Sequence, residues 1–374
     1  MNRASSVLAA LCLVGCAGGG HVSADAACTD LAAAQCARLD ACSANLDTAR
    51  VYGDAETCKA RVKLGCLAAA AAPNTAPNTQ DVSEFCGQQF PSFSCADVLN
   101  NAAQPACTPP PGKLDINGVC LYGRQCASGH CAVPRGLACG NCAPPSMAGD
   151  SCAVVPCGAG LFCSKKAQVC AMGGALMGTC DPDNPCGAGL SCQGAMPGMN
   201  PGDPFMPGMC VAAGQQAGVP CDPSQAMGPG CDPNAGLYCE ASIKRCAKLR
   251  ASGAGQTCGA GYYCTGGAQC VGKPVPVPGC SADTDCNAPA KCQSSSSKCI
   301  ETCTKASDCK SGLNPKCETG VCAFTNFTCV APAADGNPCD TAAGPGCLAP
   351  ARCILGNPSG TAGTCTLPDA TQCM

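Results

Sequence analysis

The sequence has no tryptophan, only seven phenylalanines and five tyrosines, and aromatics make up 3% of its 374 residues. A large core of interlocking rings is therefore excluded. Histidine occurs twice, at His21 and His130, too seldom for repeated His-containing metal sites or for several His-dependent centres. Charge is sparse as well, 13% of residues with a formal net of −3. Residues 25–107 carry nine acids and five bases, and residues 108–374 carry sixteen of each. The densest basic patch, "KRCAKLR" at 244–250, reads as a solvated face. Without a basic domain or rings for stacking, no nucleic-acid partner is expected. Long apolar runs are missing too. The 46% hydrophobic fraction is mostly alanine and cysteine.

Cysteine is what the chain has in abundance. Its 44 cysteines are about 12% of the residues, above the ~8–10% that marks a disulfide scaffold. Together with 46 glycines and 32 prolines, they argue for many small units rather than two or three ordinary domains. A cytosol rich in glutathione would keep such thiols reduced, so the compartment should be oxidising.

The N-terminus, "MNRASSVLAALCLVGC", has one basic residue, Arg3, and an apolar stretch from Ala4 to Val14. That stretch is too short to cross a ~30 Å hydrocarbon layer and suits a signal peptide. Leu13-Val14-Gly15-Cys16 resembles the lipobox of bacterial lipoproteins. The resemblance implies a signal peptide over 1–15 and a lipid anchor on Cys16. Two or more acyl chains give stable attachment to a membrane. Ala17 stands where an inner-membrane retention signal carries Asp, which favours the outer membrane. The alternative is free secretion, with cleavage after Ala26 in "SADAA". Residues 16–27 are then a flexible tether with a reach of roughly 17–20 Å.

Residues 28–107 read as a helical cysteine-rich domain. Cys28, Leu31, Cys36, Leu39 and Cys42 recur at helical intervals, as do Cys58, Val62 and Cys66. Val82, Cys86 and Phe90 share one face of a further helix, and Ser94 with Asp97 makes a capping box. The expectation is three or four short helices stapled by their own eight cysteines. "TPPPGKLDING" (108–118) reads as a Pro/Gly linker.

Residues 119–374 fall into about eight blocks of 25–40 residues, an internal repeat. "CGAGLFC" (157–163), "CGAGLSC" (186–192) and "CGAGYYC" (258–264) are near copies, with "CDPNAGLYC" (231–239) a looser one. Cysteines six apart are ~600° apart on a helix and share no helical face. The glycines supply positive-φ positions for a reversal, and the apolar pair returns as a strand. The expected fold class is thus small and disulfide-rich, with tandem cystine-stapled β-hairpin modules after the helical domain. A unit this small needs staples, and closing a ~12-residue loop contributes nearly 3 kcal/mol in the chain-entropy model. With "VGKPVPVPG" (271–279) as an extended spacer, the chain reads as a stalk of stiff beads.

Blocks of the form "GDSC…CGAGLFC…C" resemble the N-terminal cysteine-rich domain of Dickkopf proteins. Cysteine-rich lipoproteins of Gram-negative bacteria carry similar arrays. The resemblance covers roughly 119–374 and implies pairing of first with third and second with fourth cysteine. Carried over, it implies Cys152–Cys163, Cys157–Cys170, Cys180–Cys192, Cys186–Cys210, Cys221–Cys239, Cys231–Cys246, Cys280–Cys292 and Cys286–Cys299. Four blocks hold an odd number of cysteines, so at least two bridges must cross block boundaries.

The motifs of chemistry are thin. Zinc ribbons need two C-x2-C knuckles and the chain has one, "CGNC" (139–142). No G-x-S-x-G, H-E-x-x-H, P-loop or dinucleotide fingerprint occurs, so no catalysis and no cofactor is expected. Arg135 in "AVPRGLAC" would suit a protease-inhibitor loop, an alternative reading. Met196, Met199, Met206 and Met209 in "AMPGMNPGDPFMPGM" would suit Cu(I), against a plainer Pro/Gly-rich loop. "DPDNP" (181–185) and "DTD" (283–285) read as turns rather than calcium loops. The expected function is that of a lipid-anchored envelope protein of the structural or binding class. Its partners would be the membrane, through Cys16, and a protein or glycan ligand.

Overall fold

The computed structural model describes residues 21–43, 46–99, 104–134, 136–144, 146–152, 157, 161–163, 169–181, 185–187, 189–195, 206–225, 228–274, 279–310, 316–323, 325–357 and 359–373. Five helices open the chain: α1 (Ala24–Ser43), α2 (Leu46–Val51), α3 (Ala55–Ala70), α4 (Thr79–Gln89) and α5 (Cys95–Leu99). Helix α1 begins within the stretch read as tether, because the Ser23 hydroxyl accepts from Ala26 N and satisfies an otherwise orphaned donor. Asp54 caps α3 in the same way, accepting from Thr57 N at 2.7 Å, and Ser94 caps α5 through Asp97 N.

Cys28–Cys66 and Cys36–Cys58 clamp α1 against an antiparallel α3. Both helices space their two cysteines eight residues apart, about 12 Å along each axis, so the bridges are parallel rungs. Cys42–Cys95 and Cys86–Cys107 fasten α5 and the segment after it. Helix α4 lies close on α1 at Gly87, where a Cβ would stand 3.0 Å from the Leu31 backbone.

Beyond residue 107 the structure is a series of small strand pairs held by disulfides, antiparallel but for Arg250–Ser252 beside Tyr262–Cys264. Every cysteine whose side chain is described is disulfide-bonded. Four cysteines at a time share a common register. The third and fourth face each other across a hairpin, as in Cys131↔Cys142, Cys163↔Cys170, Cys192↔Cys210, Cys239↔Cys246, Cys292↔Cys299, Cys317↔Cys322 and Cys353↔Cys365. The residue before the first cysteine pairs with the residue before the fourth, from Val119↔Asn141 to Pro338↔Thr364. This register puts all four sulfurs on one side, where they form the unit's core. In the first unit Cys120, Cys126 and Cys142 are buried with Leu114 against them.

The observed bridges are Cys120–Cys131 with Cys126–Cys142, Cys180–Cys192 with Cys186–Cys210, and Cys221–Cys239 with Cys231–Cys246. Cys280–Cys292 with Cys286–Cys299, Cys303–Cys317 with Cys309–Cys322, and Cys339–Cys353 with Cys347–Cys365 follow. Cys157–Cys170 is present and Cys152 is bonded, while the Cys163 side chain lies outside the described residues.

Two bridges run between the blocks expected from sequence. Cys264–Cys329 spans 65 residues and accompanies Cys258–Cys270, so Cys329 is the fourth cysteine of the fifth unit. Cys270 and Cys329 face each other on strands Gln269–Pro274 and Thr325–Val330. The sixth and seventh units are therefore inserted between the third and fourth cysteines of the fifth. The first half of "VGKPVPVPG" belongs to that strand pair rather than to a free spacer, and 275–278 lie outside the described residues.

Cys139–Cys373 spans 234 residues and joins the first unit to the C-terminal segment. This corrects the stalk reading, because the C-terminal segment returns to the first four-cysteine unit. Ala72 of the helical region, Leu121 of the first unit, and Ala370 and Cys373 share one buried cluster. Leu355 N donates to Gly136 O, and Gly266 N and Gly267 N donate to Ala49 O and Arg50 O. Residues 108–118 are likewise no free linker. Gly112 N and Leu114 N donate to Cys126 O and Gln125 O, and Lys113 N donates to Asn74 O.

Glycine has two distinct jobs here. Gly189, Gly236 and Gly261 sit at φ +74, +71 and +81 ahead of the strands that begin at Leu190, Leu237 and Tyr262. Gly174 and Gly214 instead lie flat on a disulfide, where a Cβ would be 2.6 and 2.7 Å from Cys210 Sγ and Cys246 Sγ.

Candidate functional site: clefts around the first four-cysteine unit

The first unit is positioned by a fully buried glutamine. Gln125 Oε1 accepts from Leu121 N at 2.8 Å and Tyr122 N at 3.0 Å, and its Nε2 donates to Pro73 O at 3.0 Å. The residue before the second cysteine does the same in two later units. Asp285 accepts from Ser281 N, Ser281 Oγ and Ala282 N, and Asp308 from Thr304 N, Thr304 Oγ1 and Lys305 N. These bonds hold both carboxyls below the ordinary carboxylate range. Asp283 Oδ1 accepts from Cys292 N. The acids of "DTD" thus brace turns, which leaves no spaced ligand set for calcium there. Of "DPDNP", residues 182–184 lie outside the described residues.

Three polar atoms of the first unit are buried without a hydrogen-bond partner: Tyr122 Oη, Arg124 Nη1 and His130 Nε2. Burial raises the Tyr122 phenol above its usual value and lowers His130 and Arg124 below theirs. Two clefts flank this unit. One, of about 510 Å³, lies against the eighth unit between Leu121, Tyr122, Val133, Leu137, Thr341 and Arg352. The other, of about 270 Å³, opens towards the helical region between Leu31, Val82, Phe90, the Cys86–Cys107 bridge and Arg124. A third, of about 670 Å³, crosses the third to fifth units beside Leu190, Pro223, Leu237, Tyr238 and Ala260. Disulfide-bonded cysteines stand in the lining of each cleft and tie its segments together.

The remaining sequence candidates fall elsewhere. Cys16 lies outside the described residues, and no described helix is long and apolar enough to cross a membrane. Met196, Met199 and Arg135 also lie outside them. Met206 and Met209 are exposed, and Met209 sits on a strand opposite Thr179 and Gln193 rather than in a free loop. Sulfur triplets such as Cys120, Cys126 and Cys131 come within 4.8 Å of one another. They are where two disulfides cross, and a disulfide sulfur is no thiolate ligand. His21 Nδ1 lies 2.6 Å from Asp81 Oδ2 and fastens the start of the described chain to α4.

Sequence reasoning missed Arg124 and Gln125. A charged or amide side chain in a Gly-rich turn reads as solvated. The usable signal for Gln125 was its place directly before a second cysteine, shared with Asp285 and Asp308. The chain matches no protein-family model, no curated protein and no solved structure.

Proposed function

We propose that the chain is a lipid-anchored envelope protein of the binding class, held to the outer membrane through Cys16, whose disulfide-closed units present rigid clefts to a protein or glycan ligand. The observation that carries the reading is the oxidation of every cysteine whose side chain is described, which needs an oxidising compartment and ties together segments that line the clefts. Rigid walls favour binding, since a pre-formed site loses little entropy when it is filled. In this reading the four-cysteine units are Dickkopf-like modules used as spacers and cleft walls, not as signalling antagonists.

The anchor is tested by Cys16→Ser. The variant should leave the membrane fraction or accumulate as an uncleaved precursor, and the wild-type N-terminal peptide should carry the mass of its acyl chains. Normal processing with unchanged membrane retention would remove the lipid from the account.

A further inference from the structure

We infer that the cleft between α1, α4 and the first four-cysteine unit is a binding site for a small monocarboxylate with an apolar body, held by Arg124. The inference deepens the binding-class reading by naming a ligand chemistry for one cleft.

Among the described residues Arg124 is the only cation in the lining; Phe90, Leu31, Val82 and the Cys86–Cys107 bridge supply apolar walls, and Gln35, Ser83 and Gln104 polar ones. The walls are in register by construction. Val82, Cys86 and Phe90 follow one another at i, i+4 and i+8 along α4 and its 3-10 extension, and Leu31 and Gln35 do so on α1. Gly87 draws the two helices together beside the cleft. Arg124 joins this lining from the turn that Gln125 locks to Pro73.

The guanidinium makes no ion pair and no hydrogen bond among the described residues, and its Nη1 is shut off from solvent. An arginine does not escape burial by losing its proton. Nη1 is closed to any ligand in the cleft, so an acceptor from outside the chain is met by the remaining N–H groups of the guanidinium. Arginine presents a planar fork that matches a carboxylate with two parallel bonds. With a single cation and no other charged side chain among the described lining residues, one negative charge is matched and a phosphate dianion is not. The volume, about 270 Å³, sits just under the usual ~300–1,000 Å³ range for ligand pockets, so the apolar body is a ring or a short acyl chain.

The test is calorimetric titration of the full oxidised chain with benzoate and hexanoate, with benzamide and inorganic phosphate as controls. At least one carboxylate should bind, at least tenfold more tightly than benzamide, with phosphate silent. Arg124→Gln should lower that affinity at least tenfold, and Arg124→Lys, which keeps the charge but not the fork, should fall between. Phe90→Ala should weaken carboxylate binding and leave phosphate silent. Unchanged amide protection at Leu121 and Tyr122 certifies that each variant is folded. No binding of either carboxylate would overturn the assignment, as would equal binding by folded Arg124→Gln or equal binding of phosphate. A high-resolution structure with only ordered water on Arg124 in saturating benzoate would do the same. Because the titration needs no membrane, its failure leaves the Cys16 anchor standing, and failure of the anchor leaves the titration standing.

Discussion

Replacing Cys139 and Cys373 together with serine is expected to lower amide protection at Leu355 and Gln372 about 1,000-fold, while the four-cysteine units stay oxidised. The bridge closes a span of 234 residues. Other bridges inside that span shorten the flexible path to roughly 100 residues, for which the chain-entropy model gives about 4.7 kcal/mol. Cys373 is buried beside Ala72 and Leu121, so little in the folded state need be strained for that entropy to count. The loss should be local. The helical region keeps its four bridges and each hairpin keeps its own pair. Native-state hydrogen exchange on the oxidised double variant reads the difference. Protection unchanged within threefold would mean that the ends are held by packing alone.

The second large effect is expected from Arg61 on α3. Its Nη1 and Nη2 donate to Asp335 at 2.7 and 3.0 Å, while Nε donates to Ala349 O and Nη2 to Leu348 O, both at 2.6 Å. Arg61→Ala leaves a carboxylate and two carbonyls without their donor where the helical region meets the eighth unit. The cost should be about 2–3 kcal/mol, below the fully buried case because Asp335 is a third exposed. Exchange at Gly266 and Gly267, which bond across to α2, should quicken roughly 30- to 100-fold.

The same contact sets a pH dependence. The hydrogen bond from Arg61, ahead of its charge, holds the Asp335 carboxyl below its ordinary value of 3.8. A depressed acid stabilises the folded state fully above that ordinary value, and the contribution is lost as pH falls through the folded value. Docking of the helical region should therefore loosen in strong acid in the wild type. Asp335→Asn should show the weaker docking already at neutral pH and lose the acid step. An acid step of unchanged size in Asp335→Asn would assign it to another group.

Much of the local structure was legible in the residues. Cysteines eight apart in Ala-rich sequence marked the faces of α1 and α3, and C-G-A-G marked the positive-φ turns at Gly189 and Gly261. These features are decided within a few residues, where spacing and sterics act alone. The partners of Cys139 and Cys329 were not legible. Parity showed only that some bridges had to leave their blocks, and nothing near Cys329 distinguishes a fourth cysteine from a fifth. The insertion of two units between Cys270 and Cys329 is a long-range pairing of strands, set by register and not by local pattern. Arg61 was equally silent, because an arginine on a short helix reads as solvated until the chain has returned to it. The clefts share this limit. Their individual walls could be read as helix faces and hairpins, but their existence depends on which units meet.

The account rests on a chain closed upon itself, and the pairing of two cysteines tests that most directly. Peptide mapping of the purified protein under non-reducing conditions should yield one linked species containing Cys139 and Cys373 and another containing Cys264 and Cys329. A bridge from Cys139 to another cysteine between 120 and 142, or from Cys373 to one between 339 and 365, would contradict the closure and return the molecule to an open string of units.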